Sequence, residues 1–509
     1  MLKLPRLFSE DPVRLILVCF SDTIYLGKKT YRTHDFVFKE FDMSFDYAGT
    51  FCSYRTVRLA VIPTRRDTFP KPADAVEHKK QVMPVLLDKL SKIHDVEVIT
   101  AEDLLPDGLL CDQPQVEEVY RYLREKEVDA LFVPHMNFGY EEAVAQLAYR
   151  LGVPVLLWGP RDGERDTDDN VRTYDTQCGM FATSRALLRY GVKFTYIENC
   201  WLDDPQLDEG LDLFIRAVSV VKAFKGLRVL QIVNRPRQFL SVKINEGELL
   251  EKFGVEIVPV TAAEYIEAAK DAMENDPEGI KEVIDDIVSR VKIADPEAEW
   301  LKKTAGLFLG NRNLAQKYGC STVASECWEE SLEAFGIMTC FSNALLTEKG
   351  LPVACECDIN GAITSVLMLA AARGETTDFF ADITVRHPHN DNAELLWHCG
   401  NFPPALSGTE PVGAPDGRVH FEAKKGDMTI ARFDGDRGNY MLLCEEGRAV
   451  DGPRTHGGYV WFEHKDWPAL ERKLMFGPYI HHCVGAYGHY KEALREACMY
   501  MGITLDEVK

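Results

Sequence analysis

The sequence predicts an α/β protein: two doubly wound parallel-sheet N-terminal domains followed by a C-terminal domain with an antiparallel β-barrel or sandwich. Three observations carry this. From Val57 to about residue 345, apolar strand-like runs alternate with helical segments of about 10–20 residues, which is the mark of βαβ units covered on both faces. After about residue 350 the pattern changes to shorter alternating strands separated by Gly/Asp turns, as in antiparallel sheets. The length, 509 residues, exceeds what one hydrophobic core serves and suits two to four domains. The expected divisions are 1–165, 166–345 and 346–509.

The elements follow in order. A strand is expected at 13–20, and the aromatic-rich stretch 36–51 reads as irregular packing. The first domain then has strands at 57–63, 96–100, 130–134 and 154–158, with helices at 73–93, 115–126 and 140–151 between them. The segment 159–170 is Gly-rich and charged, and reads as a surface connection. It lacks phosphate-loop spacing, and its acidic residues would repel phosphate. The second domain has helices at 182–190, 211–224 and 245–253, strands at 194–197, 228–233 and 255–260, a charged helical stretch at 262–317, a strand at 321–325 and a helix at 329–335. The last third opens with a buried strand at 352–358 and an apolar helix at 361–372. Short strands follow at 380–385, 395–398 and 418–422. A hairpin at 428–433 and 440–444 turns at 434–438, and the last helix is expected at 490–501.

Composition narrows the function. Lys and Arg total 58 against 80 Asp and Glu, a formal net charge of −22. So acidic a surface repels phosphate backbones and anionic lipid heads, so neither nucleic acid nor membrane is the expected partner. No apolar run approaches the ~20 residues of a membrane-spanning helix. The N-terminus lacks the continuous apolar segment of a signal peptide, and a cytoplasmic location is expected. The 14 cysteines contain no C-x-x-C pair and read as free thiols in a reducing compartment.

Several chemistries find no support. The loop Asp434-Gly-Asp-Arg-Gly-Asn439 has Asn where a calcium loop requires Gly, and reads as a hairpin. No G-x-S-x-G elbow is present, and Pro63-Thr-Arg-Arg-Asp67 stands where a nicotinamide fingerprint would be. His135 follows a first-domain strand and reads as a loop-packing histidine. Three features are more informative together. Glu326 and Asp358 each close an apolar strand, where α/β active sites form. His481 and His482 form an adjacent pair in an apolar, aromatic context. Two carboxylates and an imidazole suit Mn²⁺ or Mg²⁺ before Zn²⁺. Glu356 shares its strand face with Asp358 and could support it from behind.

The segments Glu326-Cys-Trp328, Gly350-Leu-Pro-Val-Ala-Cys-Glu-Cys-Asp-Ile-Asn-Gly-Ala362, Trp397-His-Cys-Gly-Asn401, His481-His482 and Gly485-Ala-Tyr-Gly488 resemble the L-fucose isomerase and L-arabinose isomerase superfamily, and its L-fucose isomerase-like branch most. The resemblance is most specific over 320–509. It implies two α/β N-terminal domains and a C-terminal domain containing an antiparallel β-barrel, in an aldose–ketose isomerase acting on a free monosaccharide, such as L-fucose or D-arabinose, through an enediol. It further implies Mn²⁺, or another divalent cation such as Mg²⁺ or Co²⁺, and a homo-oligomer, most commonly a hexamer. Carried over by motif, the metal ligands are Glu326, Asp358 and His482. Glu326 and Asp358 also serve as acid and base, while Trp328, His398 and Asn401 line the sugar pocket. A metal-dependent epimerase or lyase on the same scaffold, or a non-catalytic sugar-binding protein, are the alternatives.

Overall fold

The computed structural model describes residues 23–26, 29–32, 48–68, 72–163 and 173–509. The chain divides into a unit at 1–45 and a unit at 46–509. In the first, β1 (Thr23–Leu26) and β2 (Lys29–Arg32) form an antiparallel hairpin. The strand expected at 13–20 lies outside the described residues.

The large unit opens with a parallel sheet of β3 (Val57–Val61), β4 (Val96–Thr100), β5 (Ala130–Pro134), β6 (Val155–Trp158) and β7 (Thr195–Tyr196), in the order β4-β3-β5-β6-β7. Strand order reverses at β3, as doubly wound sheets do. Side chains alternate between two cores: Leu59, Val61, Phe132 and Trp158 enter one, and Ala60, Leu131, Val133 and Leu157 the other. Both faces are apolar because helices cover both. The strand near 194–197, which its position in the chain assigns to the second unit, instead pairs with β6.

A second parallel sheet contains β8 (Arg228–Ile232), β9 (Glu256–Val260), β10 (Thr322–Ser325) and β11 (Val353–Ala354), in the order β11-β10-β8-β9. The helical stretch expected at 262–317 is three helices, Ala262–Asn275, Pro277–Arg290 and Glu299–Tyr318. Asp276 separates the first two: its side chain accepts from the Gly279 N–H, and Pro277 occupies the first helical position, a stop-and-start signal. The buried strand expected at 352–358 is shorter than its apolar run suggests. It ends at Ala354, and Glu356 and Cys357 take left-handed φ values of 53° and 57°, which a pleated strand cannot accommodate. Asp358 thus becomes the N-cap of the helix Ile359–Ala372, accepting from the Gly361 N–H. Every residue of that helix is buried.

The C-terminal sheet is built from β12 (Asp378–Arg386), β13 (Ala393–His398), β14 (Val412–Ala414), β15 (Arg418–Glu422), β16 (Gly426–Asp436), β17 (Asn439–Val450), β18 (Gly458–His464), β19 (His482–Tyr487) and β20 (Thr504–Asp506). Six of them close on themselves in the order β18-β13-β12-β19-β16-β17, with β17 pairing back to β18. All six pairings are antiparallel, giving the expected barrel without exposed edges. The β16–β17 turn is two residues, Arg437 (φ 49°) and Gly438 (φ 83°), the pair of positive φ angles that a tight hairpin favours. Asp434 therefore belongs to a strand and not to the turn expected at 434–438. The helix Ile359–Ala372 packs between β10 of the second sheet and β16 and β19 of the barrel. Among the described residues, no helix is long and apolar enough to cross a membrane.

Candidate active site and metal centre

The junction of the second sheet with the barrel gathers the site. Asp358 lies at the start of the interposed helix and His482 at the start of β19. Asp358 Oδ2 is 2.8 Å from His482 Nδ1, and both side chains are excluded from solvent. The same carboxylate receives the Arg432 guanidinium of β16: Nη1 contacts Oδ2 and Nη2 lies 3.2 Å from Oδ1. Arg432 also bonds Asp434 Oδ2, at 3.0 and 3.1 Å, and Asn360 Nδ2 donates to Asp434 Oδ1. Burial alone would push the Asp358 carboxyl up, but the Arg432 charge and the His482 contact hold it well below the usual carboxylate range.

Glu326 immediately follows β10 and is buried. Its carboxylate accepts from the backbone N–H groups of Trp328, Glu329 and Ser331 and from the Ser331 hydroxyl. These donors open the short helix Glu330–Phe335, whose orphan N–H groups a carboxylate satisfies well. Burial, reinforced by the charges of Asp358 and Glu326, pushes the Cys357 thiol up to about 12.

The left-handed turn at Glu356 aims its side chain toward the histidines. Glu356 Oε2 is 3.5 Å from His398 Nε2 and 3.9 Å from His482 Nε2. Asp382, on β12 directly across from His482 in the ladder, places Oδ1 3.4 Å from the same His482 nitrogen. Glu356 Oε2 and His482 Nε2 are buried and make no hydrogen bond. Burial would raise the Glu356 carboxyl, but the charges of His398 and His482 keep it below its ordinary value. His481, His482 and Asp382 offer ligand atoms within 4.8 Å of one another. His481 is the more exposed of the pair, with 43% of its side chain accessible against 1% for His482.

The three expected sugar-pocket residues differ in placement. Trp328 packs its ring against Phe239, with centroids 4.8 Å apart, and Phe239 also meets His481 and His482. This makes an aromatic wall beside the imidazoles. His398 is buried between Glu356 and Cys399. Asn401 spends its amide on the Val353 carbonyl at 2.9 Å, which ties it to β11. His135 sits at the carboxyl edge of the first sheet, with Nδ1 3.1 Å from the Phe138 carbonyl oxygen. Arg432, Asp382 and Phe239 had no local motif to mark them.

A buried set of carboxylates and imidazoles thus lies where a parallel α/β sheet meets an antiparallel barrel. Two family profiles match the chain: "Fucose/sulfoquinovose isomerase, N-terminal domain" over 60–225 and "L-fucose isomerase, C-terminal domain" over 401–509. Together they span more than half of it, and the chain belongs to the L-fucose isomerase-like family of aldose–ketose isomerases. Similar curated proteins include a sulfoquinovose isomerase from Priestia aryabhattai, 23% identical over 405 residues, covering 77% of this chain and 88% of that one. A second, from Alkalicoccus urumqiensis, is 24% identical over 340 residues, covering 65% and 74%. Among solved structures, a periplasmic solute-binding protein from Actinobacillus succinogenes with bound D-allose aligns over 55% of this chain and 81% of its own, at 13% identity and a TM-score of 0.16. That score carries no argument about the fold.

Proposed function

We propose that this chain interconverts the aldose and ketose forms of a free sugar, moving a proton between C1 and C2 through an enediol, with a divalent cation held by Asp358, His482 and Glu326. The observation that carries this reading is the buried Asp358–His482 contact, flanked by two buried donor atoms with no hydrogen-bond partner. Carboxylate oxygens and imidazole nitrogens fit Mn²⁺ or a similar hard to borderline cation. When bound, such a cation supplies polarisation of the sugar carbonyl and stabilises negative charge on the enediol oxygens.

The protein's own residues do the rest. Arg432 keeps Asp358 ionised and fixes its orientation, and Asp358 in turn orients the His482 ring. Glu326 and Asp358 are the pair the resemblance assigns to proton transfer. A specific observation adds Glu356: its Oε2 is buried, makes no hydrogen bond and faces His398 Nε2 at 3.5 Å and His482 Nε2 at 3.9 Å, whereas both Asp358 oxygens accept hydrogen bonds. A carboxylate oxygen without a hydrogen-bond donor is what a general base requires. Trp328 and Phe239 give an apolar face for the sugar ring and limit water access.

The relatives act on sulfoquinovose, so the substrate panel should hold L-fucose, D-arabinose and sulfoquinovose, each incubated with Mn²⁺ in D₂O and followed by NMR. Ketose carrying deuterium at C1, and deuterium at C2 of the aldose re-formed from it, are expected for one of them. A C2 epimer or an elimination product would move the chain to the epimerase or lyase alternative. Full activity in both Glu326→Gln and Asp358→Asn would refute the ligand assignment. Unchanged proton exchange in Glu356→Gln would refute its role as base.

A further inference from the structure

We infer that the chain carries a second metal site, built from Cys340, Cys355, Cys399 and the imidazole of His398, of the soft-donor class that takes Zn²⁺. The ligand atoms of Cys340, Cys355 and His398 all lie within 4.8 Å of one another, and all three residues are buried. Cys399 joins them, with Sγ 2.9 Å from Cys340 Sγ and 3.4 Å from His398 Nδ1. The sulfurs are unbonded: all of these cysteines are free, and a disulfide needs about 2.05 Å.

The donors arrive from three elements. Cys340 is the first residue of the helix Cys340–Glu348. Cys355 directly follows β11, and His398 ends β13 with Cys399 next to it. A metal here would pin the second sheet to the barrel. Three thiolates and one imidazole select zinc over manganese or magnesium, so this site is chemically distinct from the carboxylate–imidazole set around His482.

The surroundings match a zinc site as well. A zinc-bound histidine ordinarily turns its other nitrogen to a carboxylate, and His398 Nε2 faces Glu356 Oε2 at 3.5 Å. Asn343 Nδ2 lies 3.5 Å from Cys355 Sγ as a donor. Glu356 thereby joins the two sites, facing the soft one through His398 and the hard one through His482.

Elemental analysis tests this on the full chain, purified without chelator and dialysed against excess manganese. One zinc per chain is expected to survive, and Cys355→Ser and Cys399→Ser should each lose it. A mercurial should release that zinc to a colorimetric chelator. Because a serine variant could fail to fold, wild-type protein produced with Co²⁺ gives an independent reading. Intense thiolate-to-cobalt charge-transfer bands in the near ultraviolet are expected. Their absence, zinc at background level, or a Cys340–Cys399 disulfide in the intact mass of freshly isolated protein would overturn the proposal.

Discussion

Replacing Arg432 with Met tests the electrostatic logic of the site most directly. Arg432 is 1% exposed and is shared by Asp358, fully buried, and Asp434, 7% exposed. Methionine preserves much of the apolar stem but leaves two buried carboxylates without a counter-charge. Breaking a buried pair in this way costs about 3–5 kcal/mol. The cost should depend on pH, and the sign can be worked out. In the wild type, Asp358 titrates below its unfolded value of about 3.9, so it contributes stability above that pH and loses it in acid. In the variant, burial dominates and the folded carboxyls titrate above the unfolded value, so stability falls as pH rises through them. The gap between the two proteins therefore widens from about pH 4 to about pH 8. Urea unfolding followed by circular dichroism at both ends of that range would measure it. Adding Asp358→Asn to the Arg432→Met variant should recover part of the loss, because one buried charge is removed. An equal gap at both pH values, or a double variant no more stable than the single, would refute the reasoning.

Other perturbations follow from the same packing. Burial raises Asp378 in β12 to about 7. Its folded carboxyl therefore favours the native state below about pH 4 and loses that contribution as pH rises to about 7, a swing of up to about 4 kcal/mol. Asp378→Asn should raise the urea midpoint at about pH 8 and leave it unchanged at about pH 4. Gly447 lies on the β17–β18 seam, where an added Cβ would sit 2.2 Å from the Glu463 carbonyl oxygen and 2.6 Å from the Phe462 ring. Gly447→Ala should destabilise by about 1–3 kcal/mol, read as a lower thermal midpoint. His482→Ala should weaken Mn²⁺ binding, measured by calorimetry or electron paramagnetic resonance, by more than the roughly 10–100-fold typical of an outer-shell partner. Wild-type affinity in that variant would remove His482 from the site.

The parallel sheets were readable where their strands are apolar runs between helices, such as Ala130–Pro134 and Val155–Trp158, but Thr195–Tyr196 has no such run and its sheet was misassigned. The barrel strands were readable as elements, but their faces were not. In an antiparallel strand a charged residue ordinarily marks the solvent side, and by that rule Arg432 and Asp434 read as outward. Yet β16 is buried continuously from Met428 to Asp434, because the helix Ile359–Ala372 and the barrel interior cover its two faces. Periodicity separates faces without saying which of them is wet. Asp382 was hidden for the same reason, on a strand whose first half is buried and second half is not.

Asp358 and His482 were legible because short motifs surround them, and they lie in direct contact. The reading that Glu356 shares a strand face with Asp358 does not hold, because the strand ends at Ala354 and a left-handed turn sets the direction of Glu356. An apolar run containing Cys-Glu-Cys-Asp reads as extended strand, and nothing local announces two consecutive non-glycine residues at positive φ. Such backbone costs about 1–3 kcal/mol per residue and persists where the surroundings over-determine it. Here they do: the Cys357 N–H donates to the Ser325 carbonyl oxygen and the Asp358 N–H to that of Cys355, while Asp358 caps the next helix. The turn sends Glu356 toward His398 and His482, and it leaves Asp358 facing Arg432. Without it, the period-2 geometry of a strand would put both carboxylates on one face, and a single guanidinium would have to serve them both. The strained turn thus separates one carboxylate paired with Arg432 from another whose Oε2 makes no hydrogen bond and faces two imidazoles, and the proposed acid–base chemistry depends on that separation.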